Sequence, residues 1–153
     1  MKSVKCTCGK DILLDDEDHE KLCVSVWFCN PHTTPRRQVK DIQQPIGDAI
    51  LGHVFGFVVD HINRNNHDNQ KHNLCHATRS QNGANRGLQT NNTSGYKGVY
   101  FDKTRKRWVA ELKVNGKKLF IGRFRLLNNA VNAFNTEAAK HHGEFAQLNI
   151  IPL

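Results

Sequence analysis

Asp60 and His61 are followed by Asn73, twelve residues after the histidine, and by Asn82, nine residues further on. A neutral imidazole can take a proton from water near neutral pH. A carboxylate oxygen is a ligand for a hard cation such as magnesium or manganese, and an amide carbonyl oxygen can join it. Hydrolysis of a phosphodiester needs an activated water, neutralised charge on the phosphorus and a stabilised leaving oxygen. These residues match that need, with His61 as general base and Asp60 and Asn82 as metal ligands. Asn73 completes the catalytic group by holding the loop with hydrogen bonds to backbone, which fixes His61 in place. Neighbouring strand residues point to opposite faces, so the strand must end or twist at Asp60–His61 for both to serve one site.

The elements around these residues can be read in outline. Residues 57–60, FVVD, predict a strand ending at the site, and Asn63 to His72, without an apolar residue, predicts a loop. Leu74 to Ala77 fits a second short strand. Thr78 with Gln81 three residues on is a capping-box pattern, so a helix should begin there, with Asn82 near its first turn and Gly87 as its stop. Residues 1–56 are less legible. Asp15, Asp16, Glu17 and Asp18 suit the first turn of a short helix or a solvated acidic face. Val24, Val26 and Phe28 alternate with Ser25 and Trp27 as in a short strand. Pro31, Pro35, Arg36 and Arg37 mark a loop, and residues 45–52 a short helix opening at Pro45.

Beyond a polar linker at residues 88–95 the pattern changes. Tyr96 to Phe101, Arg105 to Val114 and Lys117 to Gly122 read as three strands, the last two joined by Asn115–Gly116, a strong hairpin turn. Asn128 or Asn129 can cap a helix running to about His142, with Ala130, Val131, Phe134 and Ala138 as its apolar stripe. Trp108, Leu112 and Phe134 read as core. Residues 1–87 hold eleven Lys/Arg against ten Asp/Glu, and residues 88–153 eleven against four, so the second part supplies +7 of the total +8. A near-neutral part joined to a basic part fits a chemistry module beside a module that binds an anionic polymer.

Residues 57–86 resemble the HNH homing endonucleases of phages and group I introns. The histidine of that pattern maps to His61, its middle asparagine to Asn73, and its last position, often histidine, to Asn82. The resemblance implies that Asp60 and Asn82 hold one divalent ion, Mg2+ or Mn2+, that His61 is the base, and that Asn73 is structural. Residues 94–149 resemble the plant APETALA / ethylene-response-factor DNA-binding domain, through Tyr96-x-Gly98-Val99, Trp108–Glu111, Ile121-Gly122-x-Phe124, the alanine-rich helix and Leu148–Asn149. There the sheet lies in the DNA major groove, which implies contacts from Lys97, Tyr100, Arg107, Glu111, Lys113, Lys118 and Phe120. The alternation independently puts Arg105, Arg107, Lys113 and Lys118 on one face with Phe120. Lysine cannot make the bidentate guanine contact of arginine, so base specificity would differ from that family.

The expected fold class is therefore α+β, a ββα-metal (HNH) core at residues 57–87 with residues 1–56 as its N-terminal extension. After the 88–95 linker comes a three-stranded antiparallel sheet packed on one helix at residues 96–149. The expected function is site-specific cleavage of double-stranded DNA, nicking by a monomer, with dimerisation or sequential nicks needed for a double-strand cut. The rivals are a DNA-binding regulator with an inactive nuclease core, and a restriction-type or nonspecific nuclease. No apolar run is long enough for a membrane span and the N-terminus lacks the apolar core of a signal peptide, which predicts a soluble cytoplasmic protein of a bacterial host, encoded by a phage or an intron. Cys6, Cys8, Cys23 and Cys29 could form a zinc site, but Cys-x-Cys is not the usual knuckle spacing, so structural zinc is set aside. His67, His72 and His76 read as exposed loop residues or phosphate contacts, and Cys75 as buried.

Overall fold

The computed structural model describes residues 2–30 and 33–152. Over these residues the chain is α+β, with four α-helices and small antiparallel sheets. It divides into two compact units, Met1–Arg79 and Ser80–Leu153. The polar stretch at 88–95, read as a linker, lies inside the second unit. No helix among the described residues is long and apolar enough to cross a membrane.

The first unit opens with a hairpin, β1 (Lys2–Lys5) against β2 (Asp11–Leu14), in register from Lys2↔Leu14 to Lys5↔Asp11. Ile12 and Leu14 alternate inward from β2 and meet Cys6, Leu22, Trp27 and Ile46 in one core. Helix α1 (Asp16–Leu22) carries Asp16, Glu17 and Asp18 in its first turn, where the helix dipole favours them. The strand expected at Val24–Phe28 reduces to two isolated bridges, Trp27 to Cys6 and Phe28 to Arg36. Trp27, with the larger apolar area, takes the core position and leaves Val24 and Val26 in solvent. Its indole N–H donates to Leu22 O at 3.1 Å, which satisfies its one polar atom.

The loop expected around Pro35–Arg37 is instead a hairpin, β3 (Arg36–Val39) with β4 (Ile42–Pro45); Pro31 lies outside the described residues. Side-chain contacts support it, since Arg37 donates to Gln44 Oε1 and Ser25 Oγ, both at 3.0 Å, and stacks over the Trp27 ring. Helix α2 (Ile46–Leu51) follows, with Pro45 as its cap rather than its first residue. A Cβ on Gly47 would sit 2.7 Å from Val59 Cγ1, so this glycine lets α2 lie against the next strand. That strand, β5 (Val58–His61), pairs antiparallel with β6 (Leu74–Ala77) from Val58↔Ala77 to His61↔Leu74. The connection is the expected loop, closed by a 3₁₀ turn at Lys71–Asn73.

Helix α3 (Arg79–Asn85) follows β6 directly. In the second unit β7 (Val99–Asp102), β8 (Arg107–Val114) and β9 (Lys117–Phe124) form a sheet in that order, with α4 (Leu127–His142) across one face. Asn115 and Gly116 both have positive φ, as the two-residue hairpin turn requires. Val99, Ala110, Leu112, Ala130, Val131, Phe134 and Ala138 make the core. Leu112 and Phe134 are buried, whereas Trp108 is half-buried at the core's edge, in an edge-on contact with Phe101 at 5.0 Å. Helix α4 starts at Leu127 with Leu126 at its cap, earlier than the asparagines predict. Leu127 packs against the core, and that burial outweighs a side-chain cap. Asn149 ties the C-terminal segment down: it bonds both the N–H and C=O of Lys97 at 2.7 and 3.0 Å, and its own N–H donates to Asn135 Oδ1 at 2.8 Å.

Candidate active site and nucleic-acid interface

Asp60 and His61 are the last two residues of β5, 8% and 4% exposed. Asp60 Oδ1 accepts the backbone N–H of His61 at 3.0 Å, so the carboxylate folds back along the strand end. The His61 ring places Nε2 2.9 Å from Asn69 Oδ1. Asn69 is completely buried, and its Nδ2 donates to Asn66 O at 3.2 Å, so its oxygen is the atom that faces the ring. An amide oxygen can only accept. Nε2 therefore carries a hydrogen, which in a neutral ring makes Nδ1 the basic nitrogen.

Asn73, 3% exposed, accepts the Asn63 N–H at 2.9 Å and donates to Asn63 Oδ1 at 3.0 Å and Asp68 O at 2.7 Å. Its own C=O accepts the Ile62 N–H at 2.9 Å, closing the loop at its base. The first unit thus brings Asp60, His61 and Asn73 to one strand end and loop, and adds Asn69. Asn82 is on α3, in the second unit. Asn69 had no distinguishing signal in the sequence, being one of several asparagines in a polar loop.

Residues from the chain's start hold the outer side of this loop. Leu13 on β2 donates its N–H to His67 O at 2.8 Å and accepts from the Asn69 N–H at 2.9 Å. Asp15 accepts the Lys71 N–H at 2.8 Å and a Gln70 side-chain N–H at 3.3 Å. The Lys71 N–H foremost holds the Asp15 carboxyl below its ordinary value. The Lys71 ammonium pairs with Glu17 and lies 3.4 Å from Asp18 Oδ2.

His67, read from sequence as an exposed loop residue, is only 7% exposed. Its Nε2 lies 3.5 Å from Cys29 Sγ and 3.8 Å from Cys8 Sγ. Cys29 Sγ is in turn 2.7 Å from Cys6 Sγ and 3.0 Å from Cys8 Sγ. Contact with Cys29 draws the Cys8 thiol down to about 6, while burial, with the neighbouring thiols, pushes the Cys29 thiol up. Cys23, grouped with these cysteines by spacing, is exposed and outside the cluster. Cys75 is half-buried rather than buried, its Sγ 4.0 Å from Asp60 O.

In the second unit the sheet face opposite α4 collects most of the expected binding residues, without Lys97 and Arg105. Direct pairing puts Glu111 beside Phe120 and Lys113 beside Lys118, with Tyr100 and Arg107 on the same side. Tyr100 and Phe120 are exposed aromatics, and the Tyr100 hydroxyl donates to Glu111 Oε1 at 3.0 Å. Burial first, then this bond, raises the Tyr100 pKa. Arg105 lies off the strands, in the β7–β8 turn, paired with Asp102 at 3.2 Å. Lys97 is before the sheet and donates to Ala84 O and Arg86 O, so its ammonium serves the chain behind α3.

Arg123 joins the face, stacked 4.8 Å over the Phe120 ring. Simple alternation on β9 assigns it to the other side. The register jumps from Ala110↔Gly122 to Glu111↔Phe120, leaving Ile121 as an extra residue, and this bulge carries Arg123 round to the open face. Lys97, Tyr100, Glu111, Lys113 and Lys118 also line a cleft of about 830 Å³ within this unit. Comparison with protein-family models, with curated proteins and with solved structures finds no match to this chain.

Proposed function

We propose that the chain is a metal-dependent DNA endonuclease of the HNH homing type, which nicks duplex DNA bound by the basic sheet of its second unit. The observation that carries this reading is His61, buried at a strand end beside Asp60, with Nε2–H directed at a buried amide oxygen. A buried histidine on an amide can be a plain structural element. The adjacent buried carboxylate and the three-bond asparagine brace on the same loop favour the base.

In this reading His61 Nδ1 takes a proton from water as the water oxygen bonds to phosphorus. The bond from phosphorus to the 3′ oxygen breaks and that oxygen takes a proton from solvent water, leaving 5′-phosphate and 3′-hydroxyl ends. Asn69 holds the ring in the tautomer that can accept the proton. Asp60 would hold Mg2+ or Mn2+; Asn82, the second oxygen ligand of the sequence pattern, lies in the second unit. Such donors fit a hard cation, which when bound supplies charge neutralisation at the phosphate. The exposed face of Arg107, Lys113, Lys118 and Arg123 with Tyr100 and Phe120 supplies cations for phosphates and rings for base edges.

The test is incubation of purified protein with supercoiled plasmid and with phage DNA, in magnesium, manganese or EDTA. Metal-dependent nicked circles, lost in His61→Ala, are expected. Equal nicking by His61→Ala removes it as the base. A band shift in EDTA with no cleavage in either metal favours a DNA-binding regulator instead.

A further inference from the structure

Four side chains that the nuclease reading does not use gather in the first unit: Cys6, Cys8 and Cys29 form a cluster, and His67 reaches Cys8 and Cys29. We infer that they bind one structural zinc ion. Zinc takes thiolate sulfur at about 2.3 Å and imidazole nitrogen at about 2.0–2.1 Å, so tetrahedral ligands stand about 3.8 Å apart for two sulfurs and about 3.5 Å for sulfur and nitrogen. His67 Nε2 is 3.5 and 3.8 Å from two of the sulfurs. The sulfurs are closer to one another, at 2.7 and 3.0 Å, yet well beyond the roughly 2.05 Å of a disulfide. All three lie within 4.8 Å of one another. Thiols are weak donors and weak acceptors, so hydrogen bonding gives three of them and an imidazole little reason to converge.

The backbone presents each ligand separately. The Cys6–Cys8 turn is closed by Gly9, at φ +85, donating its N–H to Cys6 O at 2.9 Å. Thr7 donates to Trp27 O at 2.9 Å, which brings Cys29 alongside. His67 is held through its own N–H on Asn65 Oδ1 at 3.1 Å and its C=O on Leu13. Three thiolates and an imidazole select zinc over the hard cations suited to Asp60. Four protein ligands also close the coordination sphere, which marks a structural site. Such an ion joins the first hairpin, the segment after Trp27 and the loop that carries Asn69.

The experiment is metal analysis of the full chain purified with zinc under reducing conditions, before and after chelation, with alkylation of its thiols read by mass spectrometry. One zinc per chain is expected, with Cys6, Cys8 and Cys29 protected and Cys23 modified at once. Chelation should expose the three. Cobalt in place of zinc should show the visible bands of a tetrahedral thiolate site. Cys29→Ser and His67→Ala should each weaken retention at least tenfold against a competing chelator, and Cys23→Ser should not change it. Less than one-tenth of a zinc per chain, a Cys6–Cys29 disulfide in the reduced preparation, or equal loss in Cys23→Ser overturns the inference. None of these readouts depends on DNA cleavage, so this site and the nuclease reading stand or fall separately.

Discussion

Gly98 is the position where one methyl group should do the most measurable damage. Its φ is +70, and a Cβ added there would lie 2.0 and 2.4 Å from two ring carbons of Phe134 and 2.5 Å from Glu111 O. Neither neighbour can retreat cheaply. Phe134 is a buried core residue, and the Gly98 C=O itself accepts the Glu111 N–H at 2.8 Å, which pins the two backbones together. Left-handed strain in a non-glycine residue costs about 1–3 kcal/mol. Overpacking a tight core adds about 1–3 kcal/mol, so Gly98→Ala should lose about 2–6 kcal/mol. At about 4–8 °C per kcal/mol for a unit of this size, its melting point should fall by at least about 8 °C. Gly116 is the control: its φ is +82, but a Cβ there meets nothing within 4 Å. Gly116→Ala should therefore cost only about 1–2 kcal/mol. Pulsed hydrogen exchange along a thermal ramp reads β8 peptides for the second unit and β5–β6 peptides for the first. Equal shifts in the two variants would refute the steric argument.

Two further outcomes test the first unit. Asn69→Ala should lower kcat for nicking about 100-fold or more with little change in KM, while Asn69→Asp, which keeps an acceptor for His61 Nε2–H, should restore most of it; equal losses in both would make Asn69 a packing residue only. Asp15 has its folded-state pKa lowered beneath 3.8, so its contribution to stability is present above that value and is lost as the pH falls through the lower folded-state one. The gap in urea midpoint between the native chain and Asp15→Asn, read on β5–β6 peptides, should thus be widest near neutrality and close in acid, and a gap that widens in acid would refute the assignment.

The local frame of the candidate site was legible because it depends on short-range signals. The FVVD run, the polar loop, the Leu74–Ala77 run and the helix after Thr78 each announce themselves within a few residues, and β5, β6 and α3 fall there. The same holds for Asn115–Gly116 and the α4 stripe. What escaped depends on partners far along the chain. Trp27 against Val24 and Val26 is decided by which side chain fills the core under β2. The β3–β4 hairpin rests on Arg37 reaching Gln44, Ser25 and the Trp27 ring. Arg123 changes face because of one unpaired residue on β9, and His67 leaves solvent because Leu13 draws its backbone in. Spacing grouped Cys23 with Cys6, Cys8 and Cys29, and only the fold leaves it exposed and brings His67 beside Cys8 and Cys29.

The bonds that Leu13 makes to His67 and Asn69 also bear on the order in which the chain can mature. During synthesis β1 and β2 emerge before β5, with Ile12 and Leu14 ready to be covered, but the strand edge at Leu13 finds its partner only in the loop after His61. Closing that long gap costs chain entropy before any contact repays it. Residues 1–56 can bury their own apolar core before then, but the outer edge of β2 stays unpaired until that loop arrives. A shortened chain beginning at β5 would lose the backbone wall that shapes the loop around Asn69, and with it the setting of His61. The N-terminal segment is a constituent of the first unit's loop, not a removable preface to it.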